Sequence, residues 1–487
     1  MRHAQQLFLG IDVGTGGVRA LAATPSGEVA AAAAIAFDPS VVAPRQDRHE
    51  QPPEAWWRAV CRATSTVIED LAAAAISPGQ LAAVAVDGTS GTLVVLDDAG
   101  RPLRPAIMYN DPRSAVEAVQ LNTAAADFCD KLGYRFESSF ALAKIAWLRG
   151  HEPEVFDRAA RFVHQADCIQ GRLTGQPPVA DYSNALKTGY DLIDECWPAW
   201  IDRLLPVTDR LPKVVAPGTT IGSVSQVAAE QTGLPAGLAV VSGASDGTAA
   251  CLASGVREPG DYNTTLGTTL VYKGISRSVC RHPQGLVYCH KLPGGHWLPG
   301  AAGNVGCEWI TRLFAHAEPS AMDTAAETRL PSDCLAYPLV RTGERFPFLS
   351  ETAEGFAVPP AQEPADRYAA CLQGVALVER LGYQTLDRVA GTSGGQVFST
   401  GGGSRSDVWM QCRADATGRM MHRPRCGQSA FGSAVLAAAA TYYDGWSEAV
   451  GHMVRIQRTF TPDVRRTEPY DGLFERFCDE LKQRGYL

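Results

Sequence analysis

The sequence predicts an α/β protein made of two halves that open in the same way. We expect a strand, a Gly/Thr-rich turn and a second strand in "LFLGIDVGTGGVRALAA", and the same pattern again in "GDYNTTLGTTLVYKG". The chain of 487 residues is long enough for two or three domains with sizeable cores. We therefore predict one domain at residues 1–250 and another at 251–487, with the junction near the turn residues of "ASGVREPGDY".

The first half continues with alternating helical and strand patterns. Helical spacing of apolar residues is found in "PPEAWWRAVCRATSTVIEDLAAAA" and in "FALAKIAWLRGHEPEVFDRAA". Strands are expected in "LAAVAVDGTSGTLVVLDD", and the alanine run at 30–34 is interpreted as strand or surface. A buried strand, a turn and an apolar helix are predicted in "LAVVSGASDGTAACLASG".

The second half shows the same alternation after its opening hairpin. An amphipathic helix is predicted in "ADRYAACLQGVALVERLGYQTL", and a small-residue helix in "SAFGSAVLAAAATYY". Between them, a strand, a triple-glycine turn and a helix are expected in "QVFSTGGGSRSDVWMQCRADATG". This order of elements is typical of an α/β fold in both halves.

Composition and charge narrow the class of protein. A hydrophobic content of 45% with 20% charged residues is ordinary for a soluble globular protein. No run of 18 apolar residues and no signal sequence is found, so we expect a cytoplasmic protein without membrane partners. The formal net charge of −8 argues against nucleic acid as a partner. The 13 cysteines form no CxxC pair, which favours reduced thiols over structural zinc.

The glycine-rich turns suggest phosphate binding. In "DVGTGG", from Asp12 to Gly17, a Gly/Thr turn allows backbone N–H groups to approach phosphate oxygens. A plain tight turn is the alternative, but the second hairpin, "TTLGTTL", favours a clamp that grips a polyphosphate with two such turns. Asp12 stands at a strand end, where a carboxylate can hold magnesium directly or through water. The sequence has no GxxxxGK[ST] motif, so this is not a P-loop.

Two further positions have two interpretations each. Asp246, in "SGASDGTAA", either caps a helix beginning near Thr248 or acts as a general base toward a hydroxyl. The glycines Gly401–Gly403 either let a flat ring lie on the backbone, with Trp409 beside it, or form a tight turn with Trp409 in the core. The residues alone leave both questions open.

Taken together, these segments resemble the FGGY carbohydrate kinase family, over essentially the whole chain. "GIDVGTGGVRA" and "YNTTLGTTLVYKG" are similar to its two phosphate motifs, "STGGGSRSDVWMQCRADATG" to its adenosine motif, and "SGASDG" to the segment of its catalytic aspartate. "SSFALAKIAWLRGHEPEVF" resembles its first signature but has Ala141 where Pro, Ser or Thr is usual, and "RYAACLQGVALVERL" resembles its second. The resemblance implies a two-domain actin/hexokinase-like (ribonuclease H-like) ATPase fold with an inter-domain cleft.

One turn points to a subgroup within that family. "VDGTSGT", followed by "MYNDPRS", resembles the D-ribulokinase group of cyanobacteria and plants, in which a serine of this turn contacts the ketopentose. The matching residue is Ser90. The alternative is that the Ser90 hydroxyl forms a hydrogen bond to the backbone of its own turn. Asp87 belongs to the same turn and is given no role.

The resemblance also implies site residues. Asp246 would be the general base, Asp12 would organise Mg²⁺ and touch the sugar, and Ser90 would bind the sugar. The remaining residues would bind the nucleotide: Gly14, Thr15 and Arg19 near the γ-phosphate, Gly267, Thr268 and Gly303 on the phosphates, and Gly402, Gly403, Ser406 and Trp409 along the adenosine, although relatives often have Asn at the position of Ser406.

The implied reaction is transfer of the ATP γ-phosphoryl group to the 5-hydroxyl of D-ribulose, giving D-ribulose 5-phosphate and ADP. D-xylulose or another ketose or polyol is the nearest alternative substrate. A non-catalytic sugar- or nucleotide-sensing protein on the same fold is the alternative from another class. The expected partners are therefore small molecules, namely the sugar and ATP with Mg²⁺, and family resemblance adds the expectation of a homodimer.

Overall fold

The protein is described by a computed structural model that covers residues 6–43 and 48–487. It forms two compact units, of which unit 1 comprises Met1–Ala253, His290–Gly295 and Cys426–Arg455. Unit 2 comprises Ser254–Cys289, His296–Arg425 and Ile456–Leu487. Neither unit is one continuous stretch of chain, and the predicted domain division at residue 250 stays a prediction.

Unit 1 contains twelve strands and most of the shorter helices within its described residues. The strands are β1 (Leu7–Val13), β2 (Gly17–Ala23), β3 (Val29–Ala36), β4 (Glu50–Gln51), β5 (Leu81–Gly88), β6 (Leu93–Leu96), β7 (Ala106–Ile107), β8 (Arg161–His164), β9 (Val179–Asp181), β10 (Lys213–Val215), β11 (Thr220–Ser223) and β12 (Ala239–Ser245). The helices are α1 (Pro39–Val42), α2 (Pro53–Ala73), α3 (Ala115–Ala124), α4 (Ala126–Leu132), α5 (Ala141–His151), α6 (Pro153–Arg158), α7 (Gln165–Thr174), α8 (Tyr182–Ala185), α9 (Trp200–Leu204), α10 (Gln226–Thr232), α11 (Asp246–Ser254), α16 (Ser429–Thr441) and α17 (Trp446–Met453).

Unit 2 has the remaining elements. Its strands are β13 (Tyr262–Leu266), β14 (Leu270–Gly274), β15 (Tyr288–Lys291), β16 (Trp297–Gly303), β17 (Leu335–Tyr337), β18 (Phe356–Val358), β19 (Val397–Thr400), β20 (Met421–Pro424) and β21 (Ile456–Phe460). Its helices are α12 (Glu308–Leu313), α13 (Pro319–Glu327), α14 (Pro364–Ala390), α15 (Asp407–Thr417) and α18 (Val464–Gln483). Both predicted strand–turn–strand hairpins are present, as β1–β2 and β13–β14, and the alanine run at 30–34 lies in β3.

A six-stranded sheet of order β11-β12-β5-β1-β2-β3 forms the centre of unit 1. Strands β12, β5 and β1 run parallel, so their carboxyl ends meet at one edge. Every residue of β1 is buried, which is typical of a strand covered on both faces. The alternation of side chains along β1 places Leu9 and Ile11 in the core that includes Trp56 and Val60 of α2.

The opposite face of β1 packs against α16, and small residues make the approach possible. A Cβ atom at Gly10 would lie 1.7 Å from the Ala430 carbonyl oxygen, so no larger residue fits there. Asp12 is two residues further along β1 and therefore lies on this same α16 face. The small-residue helix predicted from "SAFGSAVLAAAATYY" is thus the cover of the strands that end in the site described below.

Unit 2 is built on a seven-stranded sheet of order β15-β16-β14-β13-β19-β20-β21. The predicted amphipathic helix is α14, which has Pro at its first turn and ends at Gly391 with φ of 63°. Its buried Glu379 forms an ion pair with Arg413 of α15, and both side chains are fully buried. Among the residues that the structure describes, no helix is both long and apolar enough to cross a membrane.

Candidate active site

Three carboxylates meet at the carboxyl ends of the parallel strands of unit 1. Asp12 and Asp87 are direct partners in the β1–β5 register. Asp246 follows Ser245, the last residue of β12, and Ser245 is paired with Gly88 of β5. Because these strands run in the same direction, their ends bring the three side chains to one edge of the sheet. Asp12 and Asp246, the two aspartates predicted as site residues, therefore lie at the same edge as Asp87, for which no role was predicted.

Asp87 is the most deeply buried of the three. Its side chain is fully buried, and Ser433 of α16 donates a hydrogen bond of 2.6 Å to Oδ2. Burial raises the pKa of Asp87 well above its usual range, and the negative charges of Asp12 and Asp246 raise it further. The side chains of Asp87 and Asp12 are also hydrogen-bonded to each other, which further raises the pKa of Asp87. Asp87 therefore gives this edge of the sheet a carboxyl group that favours the neutral form.

Asp12 is paired with a cation across the hairpin. Arg19 is its cross-strand partner, and Arg19 Nη1 lies 3.1 Å from Asp12 Oδ2. Burial raises the pKa of Asp12, while the charge of Arg19 acts in the opposite direction. The Arg19 side chain remains about half exposed, at 54%. Arg19 can thus contact an anion while it stays beside Asp12.

The first predicted phosphate turn is held from both sides. Gly14 N donates to Gly17 O at 3.0 Å, which closes the turn. Gln51 Nε2 donates to Thr15 O at 2.9 Å. A Cβ atom at Gly17 would lie 2.4 Å from Ile35 O, so glycine is required there. Thr15 is half-buried and Gly16 is exposed at the tip.

The residues at this edge suit a magnesium ion. Mg²⁺ prefers oxygen ligands, and proteins hold it with one or two carboxylates and several waters. Asp12 and Asp246 supply such carboxylates at the ends of two of the parallel strands. No group of three or more His, Cys, Asp or Glu side chains suited to a metal is found in the described part of the chain. The assignment of Asp12 to magnesium stays a prediction.

Asp246 is the first residue of α11, so the helix begins two residues before the predicted start at Thr248. Its carboxylate Oδ1 accepts a hydrogen bond of 2.6 Å from Gly247 N, and its side chain is half-buried. It therefore lies at the N-terminal end of a helix, where the helix dipole favours negative charge. This position is compatible with both predicted roles, the cap and the base.

The turn that contains Ser90 is fixed by residues far away in sequence. Thr89 N and Thr89 Oγ1 both donate to Gln165 Oε1, at 2.8 and 2.7 Å. Ser90 Oγ donates to Ser183 O at 3.4 Å, rather than to its own turn backbone. Gly91 has φ of 83°, and a Cβ atom there would lie 2.1 Å from Ser139 O. The half-buried Ser90 hydroxyl is therefore held by a weak bond, which a ligand can replace.

Ser183 is a site residue that sequence reasoning missed. Its Oγ atom accepts a hydrogen bond of 2.7 Å from Ser245 N and donates to Asp181 Oδ1. Its carbonyl oxygen accepts the bond from Ser90. One buried serine thus links the turn of the predicted sugar contact to the residue before Asp246. The only local signal is the aspartate cap of α8, where Asp181 accepts from the backbone of Ser183 and Asn184.

In unit 2, the second phosphate turn joins β13 to β14. Thr268 is exposed at its tip, and Gly267 N donates to Thr269 O at 3.1 Å. Cys307 N donates to Gly267 O at 2.7 Å, and a Cβ atom at Gly306 would lie 2.4 Å from Thr268 O. Gly306 and Cys307 therefore support this turn.

Gly303, predicted to bind the phosphates together with Gly267 and Thr268, lies at the end of a neighbouring strand, and its role stays a prediction. Gly303 ends β16, where it pairs with Leu270 and where a Cβ atom would lie 2.6 Å from Phe346 O. Gly303 packs against the backbone of Phe346 because it is still part of strand β16. Gly306, three residues later in "AAGNVG", is the glycine that lies against Thr268.

The triple-glycine turn lies beside the second phosphate turn. Gly401 has φ of 85°, and a Cβ atom there would lie 2.5 Å from Leu266 O, directly before Gly267. Gly402 is exposed, and no atom lies within 4 Å of the Cβ position it lacks. Gly403 is buried against Leu266 and Cys307. Gly402 therefore offers open backbone, whereas Gly401 and Gly403 are required for packing.

The prediction that Trp409 flanks a ligand ring is wrong. Trp409 is 1% exposed, its indole N–H donates to Leu372 O at 3.0 Å, and its ring packs edge-on against Trp309. The core alternative is what the structure shows, because this face of α15 lies against α14. Ser406 accepts a hydrogen bond of 3.0 Å from Trp409 N and so caps α15.

Comparisons with known proteins agree with this architecture. Residues 7–253 match the N-terminal domain of the FGGY family of carbohydrate kinases, and residues 298–441 match the C-terminal domain. The xylulose kinase of Escherichia coli (strain K12) is 28% identical over 97% of this chain and 98% of its own. That of Streptomyces rubiginosus is 30% identical over 89% of this chain and 87% of its own.

A solved structure extends the agreement to the fold. The crystal structure of xylulose kinase from Rhodospirillum rubrum aligns with a TM-score of 0.86 and 27% identity over 98% of this chain and 99% of that one. The predicted two-domain α/β fold of the actin/hexokinase-like ATPases is confirmed. The family matches cover more than half of the chain, so this protein belongs to the FGGY family of carbohydrate kinases.

Proposed function

We propose that this carbohydrate kinase transfers the γ-phosphoryl group of ATP to the 5-hydroxyl of D-ribulose, giving D-ribulose 5-phosphate and ADP. The observation that carries the proposal is the link from Ser90 through Ser183 to Ser245, which precedes Asp246. A sugar that binds at Ser90 is thereby coupled to the position of the carboxylate that would act on it. A small serine in this turn also leaves room for a neutral ketopentose.

Asp246 is the proton acceptor in the proposed reaction. Its half-buried carboxylate stands at the end of β12, where it can reach a hydroxyl that approaches the strand ends. It takes the proton of the 5-hydroxyl as that oxygen bonds to the phosphorus atom and the bond to the ADP oxygen breaks. Asp87 favours the neutral form, so it does not compete as the base.

The glycine turns would bind the nucleotide. Phosphoryl transfer depends mainly on positioning and on neutralising charge, and exposed turn backbone serves both needs. Thr268 and Gly402 are exposed in unit 2, and Gly16 and Arg19 in unit 1. Asp12, with Asp246, would hold Mg²⁺, which supplies charge neutralisation at the phosphate oxygens when bound.

Substitution of Asp12 tests its assignment to magnesium. For Asp12→Asn we expect the Mg²⁺ concentration for half-maximal ADP release to rise about tenfold or more, since loss of a ligand charge weakens binding. Asp98→Asn, an exposed carboxylate in a turn, is the control. A magnesium titration that matches the parent protein would remove Asp12 from this role.

D-xylulose is the second candidate substrate, because the relatives named above are xylulose kinases. A panel of pentuloses, pentitols and glycerol in an ADP-release assay separates the candidates. We expect the highest kcat/KM with D-ribulose. A higher value with D-xylulose would transfer the proposal to that sugar, and sugar binding by calorimetry without ADP release would favour the sensing alternative.

A further inference from the structure

Two cysteines of unit 2 lie against each other. Cys280 is in the loop that follows β14, and Cys289 is the second residue of β15. Cys280 N donates to Cys289 Sγ at 3.2 Å, and Cys289 Sγ donates to Cys280 O at 3.5 Å. The two thiols are also hydrogen-bonded to each other. Both residues are buried, and both are free thiols.

We propose that Cys280 and Cys289 form an intramolecular disulfide when a hydroperoxide oxidises the folded protein. A disulfide requires its sulfur atoms at about 2.05 Å. The sulfur of Cys289 already contacts the backbone N and O of Cys280, so a small approach of the two side chains suffices. The pairing lies outside the catalytic residues and does not depend on the identity of the sugar.

The surroundings of Cys280 favour the reactive thiolate. The hydrogen bond from Cys289 lowers the pKa of Cys280 to about 7, and Ser276 Oγ lies 3.4 Å from its sulfur. Other buried cysteines differ, because burial raises the pKa of Cys168 to about 11 and that of Cys371 to about 12. Thiolate is the form that attacks peroxide, so Cys280 should react first.

An oxidant can reach this pair through the loop. The chain is exposed on both sides of Cys280, at residues 277, 278, 281 and 283–285. The segment between β14 and β15 has little regular hydrogen bonding, and such segments open locally at low free-energy cost. A hydroperoxide is small enough to use an opening of this kind.

The chemistry balances without a further reactant. The Cys280 thiolate attacks one peroxide oxygen, so that an S–O bond forms, the O–O bond breaks and hydroxide leaves, which takes up a proton to become water. The Cys289 sulfur then attacks the sulfenic sulfur of Cys280. The S–S bond forms, the S–O bond breaks, and the hydroxyl group leaves as water with the proton of Cys289. The two thiols lose two electrons, and the peroxide is reduced.

Peptide mapping of the oxidised protein tests the proposal. The folded full-length chain, carrying Cys196→Ser to remove an exposed thiol, is treated with stoichiometric hydrogen peroxide and digested with trypsin without reductant. Trypsin cleaves after Arg277, Arg281 and Lys291, so the two cysteines fall on separate peptides, 278–281 and 282–291. We expect these peptides to be joined, with the chain lighter by two hydrogen atoms and restored by dithiothreitol.

Variants show whether the link is specific. Cys280→Ser and Cys289→Ser should each abolish the joined peptide, and Cys289→Ser should leave a sulfenic acid on Cys280 that dimedone captures. Cys371→Ser, another buried cysteine of the same unit, should leave the yield unchanged. Peptides that stay separate in the folded protein, or become joined only after urea unfolding, would overturn the proposal. Cys334 and Cys371 are another pair of buried cysteines that interact in this unit. Preferential linkage of that pair would also overturn the proposal, because the contact between Cys280 and Cys289 would then not decide which disulfide forms.

Discussion

The two Gly/Thr turns of this kinase are alike in sequence but are held by different interactions. The first turn, Gly14–Gly17, follows a carboxylate that is paired with Arg19, and its tip is tied to Gln51. The second turn, at Gly267 and Thr268, has no charged side chain of this kind and rests on the backbone of Cys307 and on Gly306. The first turn therefore lies beside charged side chains, whereas the conformation of the second turn is held by close backbone packing.

This difference separates two kinds of sensitivity. Substitutions in the carboxylate group of unit 1 should change the chemical step, because they alter proton and charge positions. Substitutions at the second turn should change nucleotide binding, because they displace backbone. Measurement of kcat and of kcat/KM for ATP distinguishes these two outcomes.

The largest effect is expected at Asp246. Asp246→Ala removes the proposed proton acceptor, and we expect kcat to fall about 10²–10⁴-fold. The thermal unfolding midpoint should change little, because the side chain is only half-buried. Asp70→Ala, an exposed carboxylate on α2, is the control in the same ADP-release assay. A kcat within about threefold of the parent would be incompatible with a role as the base.

The second turn is tested at Gly306. A Cβ atom there would lie 2.4 Å from Thr268 O and 2.7 Å from Gly267 O, so the turn must move. We expect Gly306→Ala to lower kcat/KM for ATP about 10²-fold, the usual cost of misplacing a binding group by about 1 Å. Gly472→Ala, an exposed glycine of α18 with open space around it, is the control. Unchanged ATP kinetics would show that this turn does not bind the nucleotide.

A smaller effect on turnover is expected at Ser183. Ser183→Ala leaves the buried Ser245 N–H without its acceptor, which costs about 1–3 kcal/mol of stability. Because Ser245 precedes Asp246, we also expect the carboxylate to be less well positioned and kcat to fall roughly tenfold. The matched control is Ser242→Ala, on the same strand β12, because its buried hydroxyl has no hydrogen-bond partner. We expect a lower kcat for the Ser183 variant when both variants are assayed at a temperature at which both remain folded. Equal kcat in both variants would exclude a positioning role.

The smallest effect is expected for Asp87→Asn, which should become more stable relative to the parent protein as the pH rises. Burial, Asp12 and Asp246 raise its pKa in the folded protein above the unfolded value of about 3.9. The stability that its neutral form contributes is complete below that value and is lost as the pH rises toward the folded pKa. Asp87→Asn stays neutral and can still accept from Ser433.

Thermal unfolding measured from pH 4 upward tests this expectation. The midpoint of Asp87→Asn minus that of the parent should increase with pH. A difference that is constant or that falls with pH would mean that Asp87 is ionised in the folded protein, and would place a full negative charge beside Asp12.

Much of this architecture could be predicted from sequence because its signals are local. The apolar runs around "DVGTGG" and "TTLGTTL" predicted both hairpins, and helical spacing predicted α2, α5, α14 and α16. The resemblance of "GIDVGTGGVRA" and "SGASDG" to family motifs predicted Asp12 and Asp246 as site residues. These features depend on residue order alone.

The features that sequence reasoning missed depend on contacts between distant residues. Ser183 and Ser245 are separated by 62 positions, and no local pattern predicts their hydrogen bond. The contact of Gly306 with Thr268 depends on where strand β16 ends, and the position of Trp409 depends on which face of α15 meets α14. In each case tertiary packing decides among local alternatives that the sequence leaves equal.

The most direct test is identification of the product formed from a mixture of sugars. Equal amounts of D-ribulose and D-xylulose are incubated with ATP and Mg²⁺, and the phosphorylated product is assigned by NMR for the parent protein and for Asp246→Asn. The proposed function predicts that D-ribulose 5-phosphate forms first with the parent and that the variant forms almost none. Xylulose phosphate as the main product, phosphate on another oxygen, or an undiminished rate in Asp246→Asn would contradict it.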